Sequence, residues 1–147
     1  MATAAQNRVN IMKLYDETNK GNITFLREML ADDFVSYGGA GFQDIHGPEG
    51  FIQLYNTFVT AFPDLKFDVK QLVCEDNWAA VRGIQSGTHK GNFMGMVPPT
   101  GVKVEWSGTA IFRINDKGKI VERWQDLDNL SLFQQLGVIP KFGAAGG

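Results

Sequence analysis

The spacing of apolar residues changes from helical to alternating near Pro63, and that change limits the fold more than any other feature. Before it, apolar positions recur at helical intervals; after it, they alternate with polar ones as in half-buried strands. Val9, Ile11, Met12 and Tyr15 predict a first helix over 5–19, ended by "NKGN". Asn22 is placed to cap "ITFLREML", whose Ile23, Leu26 and Leu30 form a short stripe, and "ADDFVSYG" reads as an irregular or extended piece. The glycine-rich "GGAGFQDIHG" reads as a loop. Pro48 then opens a third helix whose face is Phe51, Ile52, Tyr55, Phe58, Val59 and Phe62.

Beyond Pro63, "LKFDVKQLV", "NWAAVRGIQSGTH" (77–89), "VKVEWSGTAIFRI" (102–114) and "KIVERWQDLD" (119–128) are strand candidates. "NDKG" (115–118) has the turn chemistry of a hairpin, so the pairing should be antiparallel. A short last helix, "NLSLFQQL", ends at Gly137. Helices first and long strands after them predict a segregated α+β domain: a curved sheet covered on one face by helices, with a cleft between. At 147 residues the chain fits one domain, 1–147, with 1–4 and 141–147 read as frayed tails.

Charge narrows the partners. A net charge of -2, from 14 basic and 16 acidic residues, gives no field that recruits nucleic acid. No stretch approaches the length of apolar residues that a membrane span needs, and "MATAAQNRVN" lacks a signal-peptide layout, so the cytoplasm is the expected compartment. The single cysteine, Cys74, sits in an apolar run and is read as a small hydrophobe.

The segment "RWQDLDNLSLFQQLG" (123–137) holds the candidate chemistry. If the strand stays regular, Ile120, Glu122, Trp124, Asp126 and Asp128 share one face. Were that face the concave one, desolvation and mutual repulsion would raise a carboxylate's pKa toward neutrality, as a general acid/base requires. The competing reading is that Asp128 caps the last helix, an arrangement worth ~1 kcal/mol. One oxygen can cap while the other faces a cavity. His89, at a strand end beside a glycine-rich turn, is a second candidate, and His46 precedes the third helix. Neither histidine has a second ligand at metal-binding spacing, and no phosphate loop or dinucleotide fingerprint is present, so no metal and no cofactor are expected.

Three motifs carry a resemblance: G-T-H-x-G-x-F-x-G from Gly87, P-P-T-G from Pro98, and W-x-x-x-D-x-L-x-L-x-x-Q-L-G from Trp124. With them the chain resembles the SnoaL-like polyketide cyclases, also described as predicted ester cyclases, of the nuclear transport factor 2-like superfamily. The resemblance implies a cone-shaped barrel of curved antiparallel sheet around N-terminal helices, with a hydrophobic cavity. It implies cofactor-free, intramolecular aldol-type ring closure of a polyketide-like or other apolar carbonyl compound. It makes Asp128 the acid/base; with it, His89 is expected as a polarising donor or as a partner that orients the carboxylate, Tyr15, His46, Phe51, Tyr55, Trp106, Trp124 and Asp126 are expected around the substrate, and "FMGMVPP" over the mouth. It also implies a homodimer or larger homo-oligomer. Epoxide-hydrolase-like chemistry is disfavoured, because Arg123 and Asp126, three apart, point to opposite faces. A non-catalytic binding protein of the same fold, or a proton-shuttling isomerase or hydrolase, remains the alternative.

Overall fold

The computed structural model describes residues 2–38 and 43–143. Helix α1 (Ala4–Asn19) opens on a capping box, in which Thr3 Oγ1 accepts from the Gln6 amide at 3.1 Å and Gln6 Oε1 accepts from the Thr3 amide at 2.9 Å. Thr3 and Ala4 therefore belong to the helix start, not to a frayed tail. The buried face is Asn7, Ile11 and Leu14, and Val9 is exposed. Val9 is two residues from Ile11, which on a 3.6-residue turn places it on the opposite flank. Asn7 Nδ2 donates to the Asp76 carbonyl at 3.2 Å, tying α1 to the turn after the third strand.

Helix α2 (Ile23–Met29) is capped by Asn22, whose Oδ1 accepts from the Phe25 amide at 3.1 Å. The piece read as irregular or extended is a strand, β1 (Leu30–Tyr37), with a shift in its pairing register between Leu30 and Val35; it is followed by the two-residue β2 (Ile45–His46), inside the segment read as a loop, and helix α3 (Gly47–Ala61). Part of the glycine-rich loop, 39–42, and the end of the tail, 144–147, lie outside the described residues. Strands β3 (Lys66–Glu75), β4 (Trp78–Thr88), β5 (Lys103–Ile114) and β6 (Ile120–Leu127) and helix α4 (Asn129–Gln135) complete an α+β fold. The sheet order is β2-β1-β6-β5-β4-β3. All neighbours are antiparallel except β1 and β6, which run parallel.

The decisive local feature is a bulge in β6. Arg113 pairs with Glu122, but the next residue, Ile114, pairs with Ile120, so Val121 is an extra residue on its strand. An extra residue breaks the two-residue alternation and swaps the faces beyond it. Ile120 is fully buried; past the bulge, Arg123 is buried while Trp124, Asp126 and Asp128 are exposed.

Two clusters of buried side chains fill the cone. One, around Phe34, Ile11, Phe112 and Ile120, packs α1, α2 and α3 on the sheet; the other, around Phe62, Phe93, Trp106 and Leu132, packs α3 and α4 on its far end. Between β4 and β5, Gly83 pairs with Gly108. A Cβ on Gly83 would lie 2.9 Å from the Asp68 carbonyl oxygen, so glycine permits the close approach of β3 and the bending of the sheet there.

Candidate active site

The concave face encloses a cavity of about 80 Å³, counted as the space open to the centre of a water molecule. On that measure one water needs ~10–15 Å³, so the space holds several waters or a small ring system. Its walls are mainly apolar, with Leu14, Phe51, Val81, Ala110 and Phe112 among them, and Gly83 and Gly108 keep its floor clear. Helix α3 supplies Phe51 and Tyr55 one turn apart, α1 supplies Tyr15, and the sheet supplies Gln85, Arg123 and Gln125.

Arg123 is the group that distinguishes the cavity. Phe112 and Arg123 are cross-strand partners, as are Ala110 and Gln125, so the bulge at Val121 is what turns both polar side chains inward. Arg123 is only 8% exposed, and Nη1 donates to Ser36 Oγ at 3.0 Å. Its Cζ lies 4.8 Å from the centre of the Phe51 ring. No carboxylate pairs with it among the described residues. Burial pushes its pKa down to about 10, partly opposed by Tyr15. Burial pushes Tyr15 up to about 12, partly opposed by Arg123. At neutral pH the pair is thus a guanidinium beside a neutral phenol. Neither the Tyr15 hydroxyl nor the Gln85 and Gln125 amides has a hydrogen-bond partner in the protein among the described residues, whereas the Tyr55 hydroxyl donates to the Thr18 carbonyl at 3.2 Å. Such free polar groups in an apolar chamber are the usual means of orienting a ligand.

The model of the SnoaL-like polyketide cyclases matches residues 9–136. The chain belongs to that family. Its fold is that of AclR, a candidate hydroxylase from Streptomyces galilaeus, with TM-score 0.85 and 27% identity over 97% of this chain and 87% of that one. It is also that of IdmH, a candidate polyketide cyclase from Streptomyces antibioticus, with TM-score 0.77 and 34% identity over 90% and 99% of the two chains. A SnoaL-like cyclase candidate from Jannaschia sp. CCS1 gives 0.82 and 26%, over 92% and 94%. Comparison with curated proteins gives no match. Within one SnoaL-like fold, then, both hydroxylase and cyclase names occur, and the reaction has to be argued from the site.

Of the residues singled out in the sequence of this SnoaL-like chain, Tyr15, Phe51 and Tyr55 line the cavity. Asp128 does not: it is exposed at the surface and caps α4, its Oδ1 accepting from the Ser131 amide at 3.0 Å. Trp124 and Asp126 face outward with it, because the bulge reversed the face on which they were expected. His46 is exposed at the start of α3. His89 is fully buried against Phe62, its ring 5.4 Å away, and its Nδ1 accepts from the Thr100 amide at 3.2 Å. Trp106 is buried in the same second cluster, and Phe93 of "FMGMVPP" packs there too, away from the cavity walls. The residues that sequence reasoning passed over are Arg123, Gln85 and Gln125. Their signal lies in the strand patterns, but parity counted from Ile120 starts on the far side of the bulge and gives the opposite face.

Among the described residues, no group of three or more His, Cys, Asp or Glu could hold a metal ion, and no helix is long and apolar enough to cross a membrane.

Proposed function

We propose that the cavity folds an apolar poly-β-carbonyl compound and promotes its aldol-type ring closure without a cofactor. The observation that carries this reading is the set of polar groups in a mainly apolar chamber: Tyr15, Gln85 and Gln125, without a protein hydrogen-bond partner among the described residues, and Arg123, of whose donors one goes to Ser36. In such a closure one C–C bond forms and one carbonyl π bond is lost. The proton released by the enol of the attacking unit ends on the acceptor oxygen, so the composition is unchanged and no co-reactant is needed. Arg123 and Tyr15 hold the oxygen on which charge develops, and the walls hold the chain in a bent, reactive shape. Flat rings stack on Phe51 and Tyr55.

Neither Asp128 nor His89 borders the cavity, so the reading gives the polarising role to Arg123 and Tyr15. The test follows cyclisation of a synthetic poly-β-ketone ester. Ala110→Leu, which fills the cavity, should slow it at least tenfold. Asp128→Ala should leave the rate within about threefold while costing ~1 kcal/mol of stability through the lost cap. Lost turnover in Asp128→Ala with an unchanged melting curve would return the base to Asp128. No acceleration by the native protein, together with measurable binding of the poly-β-ketone ester, would leave a binding protein instead.

The outward sheet face supports association of two copies. Trp78, Ile111 and Trp124 are 41%, 42% and 37% exposed there, and Trp124 stacks on Tyr37 at 5.1 Å and lies 5.9 Å from Trp78. An antiparallel sheet facing water would carry polar residues at these positions. Light scattering should give a dimer mass for the native chain and a monomer mass for Trp124→Lys; a native monomer at micromolar concentration would end the idea.

A further inference from the structure

We infer that the cavity's ligand carries a planar, delocalised oxyanion, a carboxylate or a 1,3-dicarbonyl enolate, and that this anion is seated on Arg123. The inference rests on the cavity being the ligand site, as proposed above, and adds the chemical class of what it takes.

The argument starts from cost. A buried charge is normally paired, because removing it from water costs several kcal/mol or more. Arg123 is buried, yet its partners are a neutral hydroxyl, Ser36 Oγ, and the π face of Phe51. One of its five N–H donors is engaged by Ser36, and the rest of the fork has no protein acceptor among the described residues. The single acidic residue on the cavity wall, Asp68, has a side chain 67% exposed and paired with Lys70 at 2.7 Å, so it does not supply the missing charge.

The surroundings favour an anion rather than a neutral polar group. Tyr15 keeps its proton and donates, and each glutamine offers an amide N–H. Arg123 and Gln125 also border a second void of about 30 Å³, on the side of Ser36 and Tyr37. A guanidinium fork matches two coplanar oxygens, which carboxylates and 1,3-dicarbonyl enolates both present. The apolar walls then select a flat hydrophobic body behind the anion.

The experiment measures binding to the native protein at neutral pH by calorimetry, with three probes of similar size: 2-naphthoate, 2-acetylindane-1,3-dione, which is an enolate at that pH, and neutral 2-naphthamide. The expected result is that at least one anion binds tenfold or more tighter than the amide, and which one does so identifies the source of the oxyanion. In Arg123→Gln that preference should vanish while the amide keeps its affinity. Equal binding of all three by the native protein overturns the anion seat and leaves the cavity reading standing. Binding of none overturns both. The comparison among probes needs no variant, so poor folding of Arg123→Gln does not blunt it.

Discussion

The double variant Arg123→Met, Ser36→Ala is expected to melt above the native protein. Arg123 contributes a buried charge with no carboxylate partner among the described residues, and exchanging such buried ionic groups for apolar ones of similar volume has been neutral or stabilising by ~1–4 kcal/mol. Methionine follows the same path as the arginine stem and keeps contact with Phe51. The second change matters because Ser36 is 3% exposed and would otherwise be left with an unmet hydroxyl, at a cost of ~1–3 kcal/mol. The double variant should therefore exceed Arg123→Met alone by about 1 kcal/mol, and at ~2–4 °C per kcal/mol for a chain of this size the rise is measurable by calorimetry. A fall of several degrees would show that the guanidinium stabilises the ligand-free protein. Retention of a costly group at the one place where it reaches the cavity is what a stability–function trade-off predicts.

Deleting Val121 should have the largest effect on folding. Without the extra residue, either Ile120 leaves the core or residues 122–127 exchange faces. The first choice removes a fully buried side chain, at ~2–5 kcal/mol. The second drives Glu122 and Asp126 into the cone and turns Arg123, Gln125 and Leu127 outward, at several kcal/mol for each buried ion. It also breaks the bonds that Glu122 makes with Arg113 and with the Tyr37 hydroxyl. Against a total stability of ~5–15 kcal/mol, either outcome should lower the melting temperature by roughly 5–20 °C or prevent folding. Val121→Ala, which keeps the residue count, is the control and should cost only ~1–2 kcal/mol. Circular dichroism of both variants decides it: native-like melting of the deletion would mean that the bulge does not set the face.

These two residues also explain how much of the site was legible in advance. Tyr15, Phe51 and Tyr55 were found because helix periodicity is local and α1 and α3 are uninterrupted. Asp128 was legible as a cap for the same reason: the signal is its place before "NLSLFQQL". Strand alternation places Arg123 and Asp126 on opposite faces, as in the structure. What could not be read was which of the two points inward.

The sequence by itself determined the helices, the four long strands after Pro63 and the α+β class, because the shift from 3.6-residue to two-residue spacing there is a property of neighbouring residues, and it carried the family motifs. Only the tertiary structure decided that "ADDFVSYG" is a strand lying parallel to β6, and that the inward face of β6 holds an arginine and a glutamine rather than two aspartates and a tryptophan. The first depends on pairing between segments more than eighty residues apart, and the second on the register of β6 against β5, where Glu122 pairs with Arg113 but Ile120 with Ile114. A bulge exists only relative to a partner strand, and no pattern within β6 alone records where Val121 breaks step.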